Sequence, residues 1–482
     1  MSRILYMTRK YASLGALVFS DAAAIVFSFF AAYLLRTWIL VLIFPGFFAG
    51  RMPVVFAVFV QRWYVIFIIL TVLAFEGLYT KRHAFWEETR LLLKSSTLSF
   101  GLILTIIFVT KEYFPFSRLI VALTWLLSFF FLPALRRLSK RILFRLGIWN
   151  KRVIIIGSTE ATTKVIQAIA SDVTMGYQIV GCLTDDRNRI GEALSGTPIL
   201  GHYDDIEEWK EKTSFEDIIV TFPNIPRNIL IHLLKSWEGV SETIRWIPQT
   251  GDLITTGVEI ENIGKLLSLV VRKNLHKPWN ILLKSVFEYV MALALLVITS
   301  PVLLVSAAAI KLTSRGPVFF LQKRLGRKGR TITIVKFRTM RIDADARLAA
   351  HLKADPDAAR EWETFKKLKK GDPRITRIGA FLRRHSLDEF PQLLNVLSGT
   401  MSLIGPRPYL AEEIKAVQPR PALLFEVKPG MTGMWQISGR SDIPFAERLR
   451  IDEHYIRNWS LWLDIMILMK TFGAILSGRG AF

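Results

Sequence analysis

Four apolar stretches crowd the first 140 residues: Tyr11–Leu35, Trp63–Tyr79, Leu91–Thr110 and Ser117–Leu135. A hydrocarbon core is about 30 Å thick and takes about 20 helical residues to cross, and each stretch is of that order. Lipid offers peptide groups no hydrogen-bond partner, so such segments fold as helices, and four of them as a bundle. Arg3, Arg9 and Lys10 precede the first stretch, and Lys81, Arg82 and Arg90 separate the second from the third. Arg136, Arg137, Lys140, Arg141, Arg145, Lys151 and Arg152 follow the fourth. Basic flanks stay cytoplasmic, which places both ends of the block on that side. Asp21 and Glu76 fall within stretches, where carboxylates sometimes mark transport paths. Glu76 stands near an interface and Asp21 is open to local pairing, so transport is not the reading.

Composition narrows the partners. The chain is 51% hydrophobic, yet Lys and Arg outnumber Asp and Glu by 63 to 40. An apolar, basic chain faces anionic lipid or phosphorylated substrates. No nucleic acid is expected as a partner, because zinc-ligand spacing, a helix-turn-helix signature and an RNA-binding aromatic motif are all missing. The single cysteine, Cys182, excludes a disulfide framework or a cysteine metal cluster. No small-residue cleavage site follows the first apolar run, so a signal peptide is not expected.

Residues 145–270 read as a Rossmann-like α/β domain. Lys151-Arg-Val-Ile-Ile-Ile-Gly157 is a buried strand entering a glycine turn, with further strands at Ile179–Leu183 and Asp217–Phe222. A dinucleotide site needs GxGxxG there. Gly157-Ser-Thr-Glu-Ala-Thr162 keeps only the first glycine, so a module that binds no NAD is expected.

Ile281–Ile310 is apolar and long enough to span, but Ser300-Pro301 lies inside it and Lys284 and Glu288 near its start. Proline breaks or kinks a helix. The domains on either side are both expected in the cytoplasm, so the segment is read as a re-entrant helix broken at Ser300-Pro301. Lys277, Lys284, Lys311 and Arg315 would then sit at its mouths near anionic headgroups. A kinked fifth span is the alternative.

Phosphate chemistry concentrates beyond it. Arg324-Leu-Gly-Arg-Lys-Gly-Arg330 precedes Lys336-Phe-Arg-Thr-Met340, and Leu382-Arg-Arg-His-Ser-Leu-Asp-Glu-Phe-Pro-Gln392 follows. Then come Met401-Ser-Leu-Ile-Gly-Pro-Arg-Pro408 and Lys428-Pro-Gly-Met-Thr-Gly-Met-Trp-Gln-Ile-Ser-Gly-Arg440. Guanidinium groups and a divalent cation offset the repulsion between a diphosphate donor and a phosphate acceptor. Asp388 and Glu389 can divide the labour, one attacking phosphorus and the other binding the metal. The basic surroundings should keep the attacking carboxylate ionised.

Lys336–Met340, Ser386–Asn395, Met401–Pro408 and Pro429–Gln436 together resemble the monotopic phosphoglycosyl transferases, the bacterial sugar transferase family. The resemblance covers roughly 280–482, and the whole chain is similar to the larger polyisoprenyl-phosphate hexose-1-phosphate transferases. It implies a four-span membrane helical bundle (1–140), the Rossmann-like α/β domain, and an α-rich monotopic catalytic domain (275–482) with a re-entrant membrane helix at about 281–310. It implies transfer of a hexose 1-phosphate from a UDP-sugar to undecaprenyl phosphate through an aspartyl intermediate, with release of UMP. Arg82–Trp86, Leu146–Trp149 and Asp372–Thr376 resemble segments of galactose-transferring members, with glucose the near alternative. Asp388 would attack, Glu389 would hold Mg²⁺, and Lys336, Arg338, Arg383 and Arg407 would contact phosphates. Gln436, Arg440, Asp452 and Tyr455 would shape the donor pocket. A homodimer in the bacterial inner membrane, with the catalytic domain on its cytoplasmic face, is expected, serving O-antigen, capsule or exopolysaccharide synthesis. Two departures touch membrane docking: Lys284-Ser-Val-Phe-Glu288 lacks a second basic residue, and Ile332 replaces a usual aromatic. A membrane-anchored nucleotide-sugar dehydratase or epimerase would need GxGxxG and a Tyr-x-x-x-Lys pair, and the one such pair, Tyr6/Lys10, precedes the first stretch. A non-catalytic relative would be expected to lack Asp388 or Arg407, and both are present.

Overall fold

The computed structural model describes residues 3–43, 63–110, 118–221, 236–237, 239–241, 243–247, 258–263, 266–271, 275, 277–355, 359, 372–415, 417, 422–438 and 444–476. The chain divides into two compact units, Met1–Gly251 and Asp252–Phe482.

The first unit opens with α1 (Arg3–Leu34), which continues through a π turn, Leu35–Ile39, to Ile43. There follow α2 (Tyr64–Phe75), α3 (Phe85–Thr110) and α4 (Arg118–Arg145). Stretches of α1, α3 and α4 are long and apolar enough to cross a membrane. The expected second span is corrected at its end. α2 stops at Phe75 because Gly77 turns the chain at φ +77°. Glu76 therefore lies beyond the helix, paired with Lys94 at 2.7 Å. Arg136 and Lys140, read as flanking charges, are also corrected. Both are buried. Arg136 binds Asp21 and, at 2.7 Å, Glu88; Lys140 binds the same Glu88, and Tyr79 donates to Asp21 at 2.8 Å. Charges removed from water must be paired, so these groups join α1, α3 and α4.

Within the same unit, β1 (Lys151–Ile156), α5 (Glu160–Ser171), β2 (Tyr177–Thr184), β3 (Ala193–Leu194), β4 (Thr197–His202), α6 (Ile206–Thr213), β5 (Asp217–Val220) and β6 (Thr243–Trp246) form an α/β domain. Its sheet runs β3-β4-β2-β1-β5-β6, parallel except for β3. The three expected strands are present, and Phe222 lies outside the described residues. After β1, Gly157 takes φ +139°, and a Cβ there would lie 2.2 Å from the Thr221 hydroxyl. Thr162 and Thr221 hydroxyls, 2.8 Å apart, fill the space behind this turn.

The second unit starts with the antiparallel pair β7 (Val258–Ile263) and β8 (Leu266–Val271). Then come α7 (Pro278–Thr313), β9 (Phe319–Leu325), β10 (Thr331–Phe337) and α8 (Ala344–Ala354). Next are α9 (Arg377–Arg384), a 3₁₀ turn at Leu387–Gln392, α10 (Leu393–Leu397) and β11 (Ser402–Ile404). The unit closes with α11 (Ala411–Lys415), β12 (Gly430–Thr432), α12 (Met434–Ile437), α13 (Phe445–Arg457) and α14 (Leu461–Leu476). Leu393, Val396, Leu403, Ile404, Tyr455 and Ile467 centre its core.

Among the described residues, α7 is the fourth helix of membrane-crossing length. The expected break is not a gap between two helices: α7 stays helical through Ser300 and Pro301. Proline cannot donate to the carbonyl four residues back, that of Val297. Ser300 Oγ donates to that oxygen instead, at 2.8 Å. Lys284 is a further correction, for it does not sit at a mouth. It is enclosed by Glu288 (2.7 Å), Asp464 (2.8 Å), the Tyr455 hydroxyl (3.0 Å) and the Ile404 carbonyl (3.0 Å). Glu288 also accepts from Ser402 Oγ at 2.6 Å and Ile404 N–H at 3.1 Å. One turn of α7 is thereby tied to β11.

Candidate active site

The antiparallel hairpin β9/β10 pairs Lys336 with Phe320 and Ile332 with Arg324. Side chains alternate along a strand, so Lys336 and Arg324 share a face. The edge of β10 is fixed by Asn395, whose carboxamide accepts from Val335 N–H at 3.0 Å and donates to Thr333 O at 2.8 Å. This binds the Lys336 segment to the segment carrying Asp388. α9, capped by Thr376, ends at Arg384, and Ser386 turns the chain at φ +54° into the 3₁₀ turn that presents Asp388 and Glu389.

Glu389 accepts a charge-assisted bond from Lys336 Nζ at 2.6 Å. Asp388 precedes it in the same turn. Burial, with Glu389 beside it, pushes its carboxyl above the usual range, and Lys336 and Arg383 only partly offset this. Loss of water thus outweighs the basic surroundings that sequence emphasises. Arg383 donates through Nε to Thr339 Oγ1 at 2.9 Å, and burial lowers its guanidinium from the ordinary value.

The opposite wall comes from two glycine-bearing segments. β11 and β12 run parallel, pairing Ser402 with Gly430 and Ile404 with Thr432. Backbones touch here: a Cβ on Gly430 would lie 2.1 Å from Gly405 N. Arg407 leaves this junction with its guanidinium 5.0 Å from the centre of the Trp435 ring. Asp452 fixes the Arg407 backbone, accepting from its N–H at 3.0 Å and from the Tyr409 hydroxyl at 2.8 Å. Asp452 is fully buried, and burial pushes its carboxyl up to about 7.

Between the walls lies a cleft lined by Arg324, Lys336, Glu389, Arg407, Trp435 and Gln436, among others. Three cations face one carboxylate, an arrangement that suits phosphate. The buried Gln436 Oε1 has no hydrogen-bond partner among the described residues.

The structure brings Lys336, Glu389, Arg407 and Gln436 to the cleft, with Asp388 adjoining Glu389. Arg338 is not among the residues that line the cleft. β10 ends at Phe337, and Arg338 turns back to bind Ser314 O (2.9 Å) and Arg315 O (2.7 Å) at the end of α7. A cation on the bare carbonyls of a helix C-terminus is well placed. Asp452 and Tyr455 are buried behind the wall rather than in it, and Tyr455 donates to Asp464 at 2.6 Å. Arg440 lies outside the described residues. Arg324, Gln392 and Trp435 also line the cleft, and each lies inside one of the motifs that point to phosphate chemistry. Among the described residues no group of three or more His, Cys, Asp or Glu side chains gathers to hold a metal.

The chain belongs to the bacterial sugar transferase family, whose sequence pattern matches residues 279–478. The pattern of a CoA-binding domain matches residues 74–248. The chain is 34% identical to the UDP-galactose-lipid carrier transferase of Erwinia amylovora, over 84% of each chain. It is 33% identical to the undecaprenyl-phosphate galactose phosphotransferase of Salmonella typhimurium, again over 84% of each. It is 30% identical to the UDP-glucose:undecaprenyl-phosphate glucose-1-phosphate transferase of Xanthomonas campestris, over 70% of this chain and 69% of that one.

Proposed function

We propose that the protein transfers a hexose 1-phosphate, galactose 1-phosphate foremost, from a UDP-hexose to undecaprenyl phosphate, releasing UMP. The observation that carries this reading is Asp388 beside the Glu389–Lys336 pair at a cleft rich in cations. Asp388 attacks the sugar-bearing phosphorus, and the bond from that phosphorus to the UMP oxygen breaks. UMP leaves, and an aspartyl phosphoryl-hexose remains. An oxygen of the lipid phosphate then attacks the same phosphorus and displaces the Asp388 carboxylate. Lys336, Arg324 and Arg407 hold the diphosphate oxygens as negative charge builds on the departing UMP. Glu389 suits Mg²⁺, which takes one or two protein carboxylates and completes its shell with phosphate oxygens and water. Bound there, the ion would add positive charge where the diphosphate gathers its negative charge. Gln436 offers its unpaired carboxamide oxygen to a donor hydroxyl or base N–H. Arg440 lies close in sequence and completes the proposed donor set.

The donor is tested by UMP release from a panel of UDP-sugars with undecaprenyl phosphate present. UDP-galactose is expected to lead, followed by UDP-glucose. The two differ in one hydroxyl's configuration, worth about 1–3 kcal/mol if it leaves a polar group unpaired in a closed site. A preference for an N-acetylated donor would refute the hexose reading.

We propose that α7 bends at Pro301, enters the membrane and returns, so that both its ends lie at the cytoplasmic face of the inner membrane. Supporting this, Lys277 precedes it and Lys311 and Arg315 close it, so basic residues mark both ends. Single cysteines near residues 278 and 314, in a Cys182→Ser background, are expected to label from the same side. Labelling of only one from the periplasm would demonstrate a crossing.

A further inference from the structure

Two of the segments read as phosphate-binding meet at Thr339, a buried, uncharged residue of the Lys336–Met340 motif. Its hydroxyl accepts the Arg383 Nε–H at 2.9 Å. Its carbonyl accepts the Thr376 N–H at 3.0 Å, and Thr376 in turn caps α9 through Gly379 N–H at 2.9 Å. Gly379 sits so close that a Cβ there would lie 2.0 Å from the Thr339 carbonyl oxygen. One residue of the β10 exit thus grips both the first turn of α9 and the arginine near its last turn. Its neighbour Arg338 is anchored on the end of α7, so the grip has a fixed base.

Arginine has many rotamers, and a bond through Nε fixes the plane of the guanidinium while leaving both Nη groups to face an anion. Arg383 lies in the last turn of α9, and Ser386 then turns the chain into the 3₁₀ turn that carries Asp388, so the guanidinium and that carboxyl stand on adjoining turns.

We propose that Thr339 is a positioning residue: its hydroxyl holds the Arg383 guanidinium toward Asp388, so that the attacking carboxylate meets a fixed positive charge. The proposal rests on the reading of Asp388 as nucleophile given above. Thr339→Val removes the hydroxyl at nearly constant volume. UMP release by the full chain from UDP-galactose, with undecaprenyl phosphate present, is expected to lose about tenfold in kcat, with KM changed less than about twofold. Thr339→Ser, which keeps the hydroxyl, is expected to restore the rate. In an Arg383→Gln background Thr339→Val should change the rate by less than about twofold, since the interaction is already gone.

Equal losses in both backgrounds would overturn the proposal, as would failure of Thr339→Ser to restore the rate, or a full rate in Arg383→Gln. Thr339→Ala replaces the valine variant if the latter does not fold. Asp388→Asn, run alongside, separates the two ideas. If it is inactive while the cycle is additive, only the role of Thr339 falls. If it is active, both fall.

Discussion

Asp388→Asn is expected to lower UMP release on the order of a thousandfold or more, and to abolish any sugar-phosphate adduct on the protein. Asparagine keeps the shape of the 3₁₀ turn at Leu387–Gln392 and the neighbouring Glu389–Lys336 pair at 2.6 Å. It removes only the nucleophilic oxygen anion, so thermal unfolding should be nearly unchanged. Wild-type activity should fall in acid as Asp388 gains its proton, with a midpoint above the ordinary carboxylate value of 3.8 because burial and Glu389 raise it. Glu389→Gln should behave differently, retaining the adduct-forming group while weakening the dependence on added Mg²⁺. A normal rate of UMP release by Asp388→Asn would show that another group attacks phosphorus.

Lys284→Met carries the largest expected cost in stability. The ammonium lies among Glu288, Asp464, the Tyr455 hydroxyl and the Ile404 carbonyl, and Asp464 also accepts from Trp459 Nε1 at 2.9 Å. Breaking a buried ion pair from one side costs about 3–5 kcal/mol, because the partner charges remain without compensation. Denaturant unfolding of the full chain in detergent should register a loss of that order. Combining the change with Glu288→Gln and Asp464→Asn should recover part of it, since nothing charged is then stranded. A loss below about 1 kcal/mol would mean that water or headgroups reach these carboxylates.

The charged and glycine-rich segments were readable because phosphate chemistry needs those residue types in that order. Lys336, Glu389, Arg407 and Gln436 accordingly line one cleft. What sequence hid was the partner of each charge. Lys284 looks like any lysine near the start of an apolar run, and its partners Tyr455 and Asp464 lie 171 and 180 positions away. Arg338 shares the alternation of Lys336, and only the end of β10 at Phe337 shows that it turns toward Ser314. Arg136 and Lys140 resemble a membrane flank until other helices supply Asp21 and Glu88. The α/β sheet was legible from its runs of branched apolar residues, whereas the early end of α2 depends on one glycine's conformation.

The Ser300 hydroxyl, bound to the carbonyl that Pro301 leaves open, gives this pair a preferred order of evolutionary change. A lineage that first replaces proline by an ordinary residue regains an N–H for Val297, and serine becomes dispensable. A lineage that first loses the serine exposes a bare carbonyl in the middle of an apolar helix, at a cost of several kcal/mol in hydrocarbon. Descendants that keep Pro301 without a hydroxyl before it should therefore be scarce, whereas those that keep Ser300 without proline should be tolerated as intermediates.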